Sequence, residues 1–100
     1  IPISNEDCGP DELRDRVEGP TRTGPVVVFT DLASGSCTLA SRAVGRRRDS
    51  FAVVTGVNLP MLLDFLFHRD MPPAELANRA AEKGHDGIRV LSDHESSDGA

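Results

Sequence analysis

The sequence contains no tryptophan and no tyrosine, and only four phenylalanines. It therefore lacks the interleaved aromatic platform on which single-stranded bases stack. Positive charge is scarce as well: 11 Lys and Arg stand against 16 Asp and Glu, for a formal charge of -5, and Lys83 is the only lysine. A chain of that sign has no overall field to gather nucleic acid or anionic lipid, which leaves proteins or small molecules as partners. The two cysteines, Cys8 and Cys37, lie far apart and form no CxxC pair. That excludes a zinc-ligand spacing and a disulfide framework, and makes a reduced, cytoplasmic protein the expectation. The longest apolar stretches, near Val26–Phe29 and Leu59–Phe67, fall well short of the ~20 residues of a membrane helix. No direct membrane insertion is expected, and no stretch reads as a signal peptide.

What remains is enough for one core. One hundred residues, 38% of them hydrophobic, suit a single domain and are too few for two. "IPI" reads as the end of a strand, and because the sequence opens there without a methionine, the expectation is a fragment entered partway through that strand. "PDELRDRVEG" predicts a helix over Pro10 to Glu18, with proline first, acids in the opening turn and glycine as a stop. "VVVFT" is continuously apolar, the pattern of a parallel strand buried on both faces. Ser36 can then cap a helix to about Gly45, in which Leu39, Ala40, Ala43 and Val44 recur at three- and four-residue spacing.

"FAVVTGV" predicts a second buried strand, and "NLPMLLDFLFHR" a helix capped by Asn58 with Pro60 in its first turn. A further helix over "PPAELANRAAEKG" is expected to stop at Gly84, and "GIRVLS", alternating at Ile88 and Val90, to form a last strand at a sheet edge. The expected domain spans residues 1–91, with 92–100 a polar tail. Strands alternating with helices imply an open parallel α/β sheet whose binding crevice lies at the carboxyl ends of its strands.

Two loops, "TDLASGS" and "TGVN", leave such strand ends and should share that crevice, placing Gly56 and Asn58 beside the first loop. Gly35 admits close backbone approach, and the amides of Ser36 and Cys37 at a helix start favour a phosphate-sized anion, although glycine and serine before a helix also serve plain capping. Familiar phosphate motifs do not fit: the P-loop's Gly-Lys pair is missing, only Gly35 of a dinucleotide fingerprint is present, and there is no GxSxG elbow. Cys37 has no basic neighbour in sequence and reads as a buried, inert thiol.

Asp31 is the informative residue, because a carboxylate beside a bound phosphate repels it. Three roles remain open. It can accept a phosphoryl group, it can hold a histidine in one tautomer while the other ring nitrogen attacks phosphorus, or it can cap the loop locally. The first role calls for neighbouring acids to hold Mg²⁺ and a lysine after the last strand, and neither is visible. No metal site or cofactor is otherwise indicated. The second calls for a crevice histidine, and none of the three suits: His68 lies near a helix end, His85 in the "KGHDG" turn and His94 in the tail.

"VVVFTDLASGSCTLASRAV", "FAVVTGVNLPMLLDFL" and "ELANRAAEKGHDGIRVL", in that order and spacing, resemble the IIA components of the mannose/fructose/sorbose class of bacterial sugar phosphotransferase systems. The likeness runs from about Ile1 to Leu91, with "GVNLPML" and the Asp-to-Gly-Ser loop as its two signatures. It implies a flavodoxin-like α/β fold: an open, mostly parallel sheet with helices on both faces and an antiparallel edge last strand at a homodimer interface. It also implies a phosphoryl-carrying histidine after the family's first strand. Asp31 would hydrogen-bond that histidine and Ser36 would be the loop serine, with Leu32, Ala33, Ser34, Gly35, Ser36 and Cys37 forming the phosphate loop. Phosphate would pass from the carrier protein HPr to the histidine and on to a IIB protein or domain, in support of sugar uptake.

Three departures accompany the resemblance. The family's opening strand and helix, about 30 residues as a β-α piece, are expected to be missing, and with them the accepting histidine, so that the chain by itself should not carry phosphate. The family's Gly-Gly-Ser-Pro reads Ser34-Gly35-Ser36-Cys37, and no attached IIB domain is expected. These differences keep open a non-catalytic regulatory or interaction module of the same fold. The run Arg46 to Arg48 reads either as a solvated turn or as a docking patch for an acidic partner.

Overall fold

The apolar patterns fold into alternating elements. The computed structural model describes residues 1–92, in the order α1 (Pro10–Glu18), β1 (Val26–Phe29), α2 (Ser36–Gly45), β2 (Phe51–Val54), α3 (Leu59–Leu66) and α4 (Pro73–Asp86). Three of these helices, α1, α3 and α4, carry proline in their first positions, where a missing N–H forfeits no helical bond. Asn58 caps α3 as expected, its Oδ1 accepting from the Met61 amide at 3.2 Å.

β1 and β2 pair in parallel, from Val26 opposite Phe51 to Phe29 opposite Val54. Side chains alternate across the pair and meet helices on both faces. Val27, Phe29 and Val54 pack with Met61 of α3 and with Ala77 and Ala80 of α4. The Phe29 ring meets Phe65 edge-on, with centroids 5.1 Å apart. On the other face Phe51 packs with Ala40 and Val44 of α2 and with Leu13 and Val17 of α1. The chain is thus an α/β unit with a parallel sheet covered on two sides, and no helix among the described residues is long and apolar enough to cross a membrane.

Several expectations need correction. The strands are half-buried, with Val54 alone fully buried, because two paired strands leave each with an open edge. "GIRVLS" forms no strand: Ile88, Val90 and Leu91 are 72%, 92% and 87% exposed, and the segment leaves α4 without pairing with either open edge of the sheet. Ile3 packs against the α1–α2 cluster rather than joining the sheet. Residues 93–100 of the expected polar tail lie outside the described residues.

Gly84 does not stop α4, which runs on to Asp86 and takes His85 into its last turn. The glycine is there for close approach: a Cβ would lie 2.8 Å from Met61 Cε and 3.1 Å from Asn58 Oδ1. Asn58 Nδ2 donates to the Gly84 carbonyl at 2.9 Å, so the end of α4 is fastened to the start of α3. On the outer side of α3, Leu59, Leu62, Leu63, Leu66 and Phe67 form an apolar stripe that is 39–81% exposed.

Candidate functional site

The loops after β1 and β2 lie side by side because the parallel ladder continues past both strands. The Thr30 amide donates to the Val54 carbonyl at 2.9 Å, and the Val57 amide donates to the Thr30 carbonyl at 3.0 Å. Between them Gly56 turns the chain at φ +71°, a left-handed conformation that glycine adopts without strain.

The first loop is organised by a threonine. Thr38, buried in α2, places its Oγ1 2.5 Å from the Leu32 carbonyl and 2.6 Å from Thr30 Oγ1. The carbonyl can only accept, so the single Thr38 proton goes to it, and the Thr30 hydroxyl in turn donates to Thr38. Thr38→Val keeps the shape but strips both bonds, and should lower the unfolding free energy by about 1–3 kcal/mol. Thr38→Ser, which keeps the hydroxyl, should lose less in a denaturant titration. The reverse order would show that packing of the methyl, not the bond, fixes the loop.

Ser36 is not the cap. Gly35 takes that position at φ -72° and ψ 159°, with no side-chain hydrogen bond, and Ser36 begins the helix with its Oγ accepting from Asn5 Nδ2 at 2.8 Å. Among the described residues the amides of Ser36, Cys37 and Thr38 find no acceptor, so the amino end of α2 keeps its free donors and its positive dipole end. Leu32, Ala33 and Ser34 are exposed around it. Cys37 is half-buried against the α1–α2 cluster, a reduced thiol in a packing role.

Asp31 sits at the carboxyl end of β1, exposed, with no hydrogen bond or ion pair among the described residues. It does not cap the loop, a task Thr38 performs. Nor do three His, Cys, Asp or Glu side chains converge anywhere among the described residues as a metal-sized group. Asn58 lies at the same end of the sheet but is consumed by the α3 cap and the tie to Gly84.

The described histidines are placed elsewhere. His68 Nδ1 lies 2.9 Å from the Asp64 carbonyl at the end of its own helix, beside an Asp64 carboxylate that Arg79 Nε grips at 3.1 and 3.2 Å. His85 is exposed at the end of α4, 3.9 Å from Asp86. Sequence reasoning missed Thr30 and Thr38, which flank the loop in "TDLASGSCT" as a pair of hydroxyls. Their spacing was the available signal.

The family described as PTS system fructose IIA component (EIIA-man) matches residues 10–83. The PTS system mannose-specific EIIAB component of Escherichia coli strain K12 is 34% identical over 71 residues, which cover 69% of this chain and 22% of that protein. The proteins of the same name from Escherichia coli O157:H7 and Shigella flexneri match to the same extent. The chain thus spans about a fifth of the length of the curated relatives it matches.

Proposed function

Because the chain belongs to the IIA family of the fructose- and mannose-class sugar phosphotransferase systems, we propose that it supplies the aspartate and the phosphate loop of a histidine phosphocarrier. In this reading phosphate leaves HPr for a histidine outside these hundred residues, and passes from there to a IIB protein or domain for sugar uptake. Asp31 accepts a hydrogen bond from one nitrogen of that imidazole, which leaves the other free to attack phosphorus and steadies the ring as its charge grows. The amides of Ser36 and Cys37 and the hydroxyl of Ser36 receive the phosphoryl oxygens over Gly35.

The observation that carries this reading is the pairing of an unengaged carboxylate with an unengaged helix amino end at the carboxyl edge of one parallel strand. The Cys37 departure from the family's proline is accommodated, since α2 begins without it. In this reading homodimerisation runs through residues 87–91, and the direction of α4 sets the sense of that segment. That helix delivers the segment to the end of the sheet where β1 and β2 finish, so a strand formed from it would run antiparallel to them. The setting is cytoplasmic.

The test is incubation of the full-length protein with enzyme I, HPr and radiolabelled phosphoenolpyruvate. Label that is acid-labile and maps to histidine is expected, because a phosphoramidate hydrolyses in acid. Acid-stable label would move the chemistry off histidine. No label would favour the second reading, a regulatory or interaction module of the same fold, for which Ser34 and Cys37 in place of the family's glycine and proline are the motive.

A further inference from the structure

At the end of α2 remote from Asp31 the surface is of opposite character. A hollow of about 490 Å³ is lined by Arg14 and Arg22 from α1 and the connector after it, and by Arg46, Arg47 and Arg48 from the turn after α2, with Glu18 the one acid among them. Ala43 and Val44 line it as well and supply an apolar floor. Ten residues of helix, ~15 Å at the usual rise, separate this hollow from the phosphate loop.

The arginines are not equivalent. Arg48 is structural: its guanidinium donates to the Thr21 carbonyl and, at 2.9 Å, to the Gly24 carbonyl, and lies over the Phe51 ring with 5.4 Å to the centroid. Arg14, Arg22, Arg46 and Arg47 are exposed and have no carboxylate within ion-pair distance among the described residues. Four uncommitted guanidinium groups thus gather on a chain whose net charge is -5.

Their setting selects among anions. α2 ends here, so it presents carbonyls and the negative end of its dipole, and Glu18 adds a carboxylate; both oppose a compact, densely charged phosphate at the centre of the hollow. A nucleobase finds no aromatic face, because Arg48 already covers Phe51. Guanidinium forks match carboxylates two bonds at a time, and arginines spread over a hollow with an apolar floor suit carboxylates spaced along a chain with apolar side chains between them. We propose that this hollow docks an acidic peptide segment of a protein partner, at a surface separate from the phosphoryl site.

The probe is a fluorescein-labelled octapeptide of alternating glutamate and leucine, followed by fluorescence anisotropy against the full chain. Affinity should fall with salt as the Debye length shrinks from roughly 20 Å to about 8 Å. The double variant Arg46→Glu, Arg47→Glu should bind at least about tenfold more weakly, as expected for reversing two charges in a complementary contact. Arg69→Glu, an exposed arginine outside the hollow, should stay within about twofold, since a remote exposed charge is largely screened. Circular dichroism on each variant confirms that it is folded. Equal loss in Arg69→Glu, an unaffected double variant, or absence of binding would overturn the proposal. So would displacement by inorganic tripolyphosphate at lower concentration than by unlabelled peptide, which would assign the hollow to a phosphorylated ligand.

Discussion

Asp31→Asn, placed in the full-length protein, should slow phosphoryl transfer by on the order of 10²–10⁴-fold, the scale seen when a carboxylate that orients a reacting imidazole is replaced by its amide. In the proposed relay the amide keeps the size and loses the charge, so it would no longer fix the tautomer or steady the imidazolium. Stability should hardly move. Asp31 is exposed and makes no described hydrogen bond or ion pair, so the change in unfolding free energy should stay within about 0.5 kcal/mol, as for surface substitutions generally. Parallel measurement of transfer rate from phosphorylated HPr and of chemical denaturation separates the two effects. A variant that loses stability but keeps its rate would return Asp31 to a local role in the loop.

Gly45→Val should destabilise the chain by about 3 kcal/mol, at the upper end of what overpacking costs. The last residue of α2 lies directly against the Phe51 ring, where an added Cβ would come 2.6 Å from ring carbon Cε1 and closer still to Cδ1. The ring has little room to retreat, since Arg48 covers it and the α1–α2 cluster packs around it. An ordinary helical glycine behaves differently: replacement by alanine stabilises a helix by about 1 kcal/mol. Gly45→Ala should destabilise instead, and Phe51→Leu in the same chain should recover part of the loss, as a double-mutant cycle would register. A stabilising Gly45→Ala would show that the ring moves aside freely.

These two glycine positions, 45 and 84, also mark the limit of what the sequence discloses. Each follows an apolar helical pattern, and helix termination accounts for both equally well on paper. In the fold, Gly45 admits an aromatic ring and Gly84 admits Met61 and Asn58. The need for a missing side chain is set by a partner distant in sequence, and no local pattern carries it. The same holds for the loop hydroxyls. Ser36 is the residue type that capping statistics favour, yet Gly35 takes the cap and the bond that shapes the loop comes from Thr38, two residues further into α2.

Features with local causes were legible. Proline at first helical positions, Asn58 as a cap, continuous apolar strands and the carboxylate before the glycine-serine turn each follow from the residues themselves. Strand burial and the fate of residues 87–92 were not, because both depend on which edges are available for pairing, a property of the assembled sheet.

The leucine and phenylalanine stripe on α3 bears on how the protein behaves in bulk solution. At neutral pH the charge of -5 keeps copies apart, and near the isoelectric point of about 5.0 that repulsion vanishes. Five apolar side chains aligned along one helix then dominate the encounter between molecules. Mild acidification should turn a clear solution cloudy while every helix is still intact, so turbidity at that pH reports a sticky surface rather than an unfolded chain.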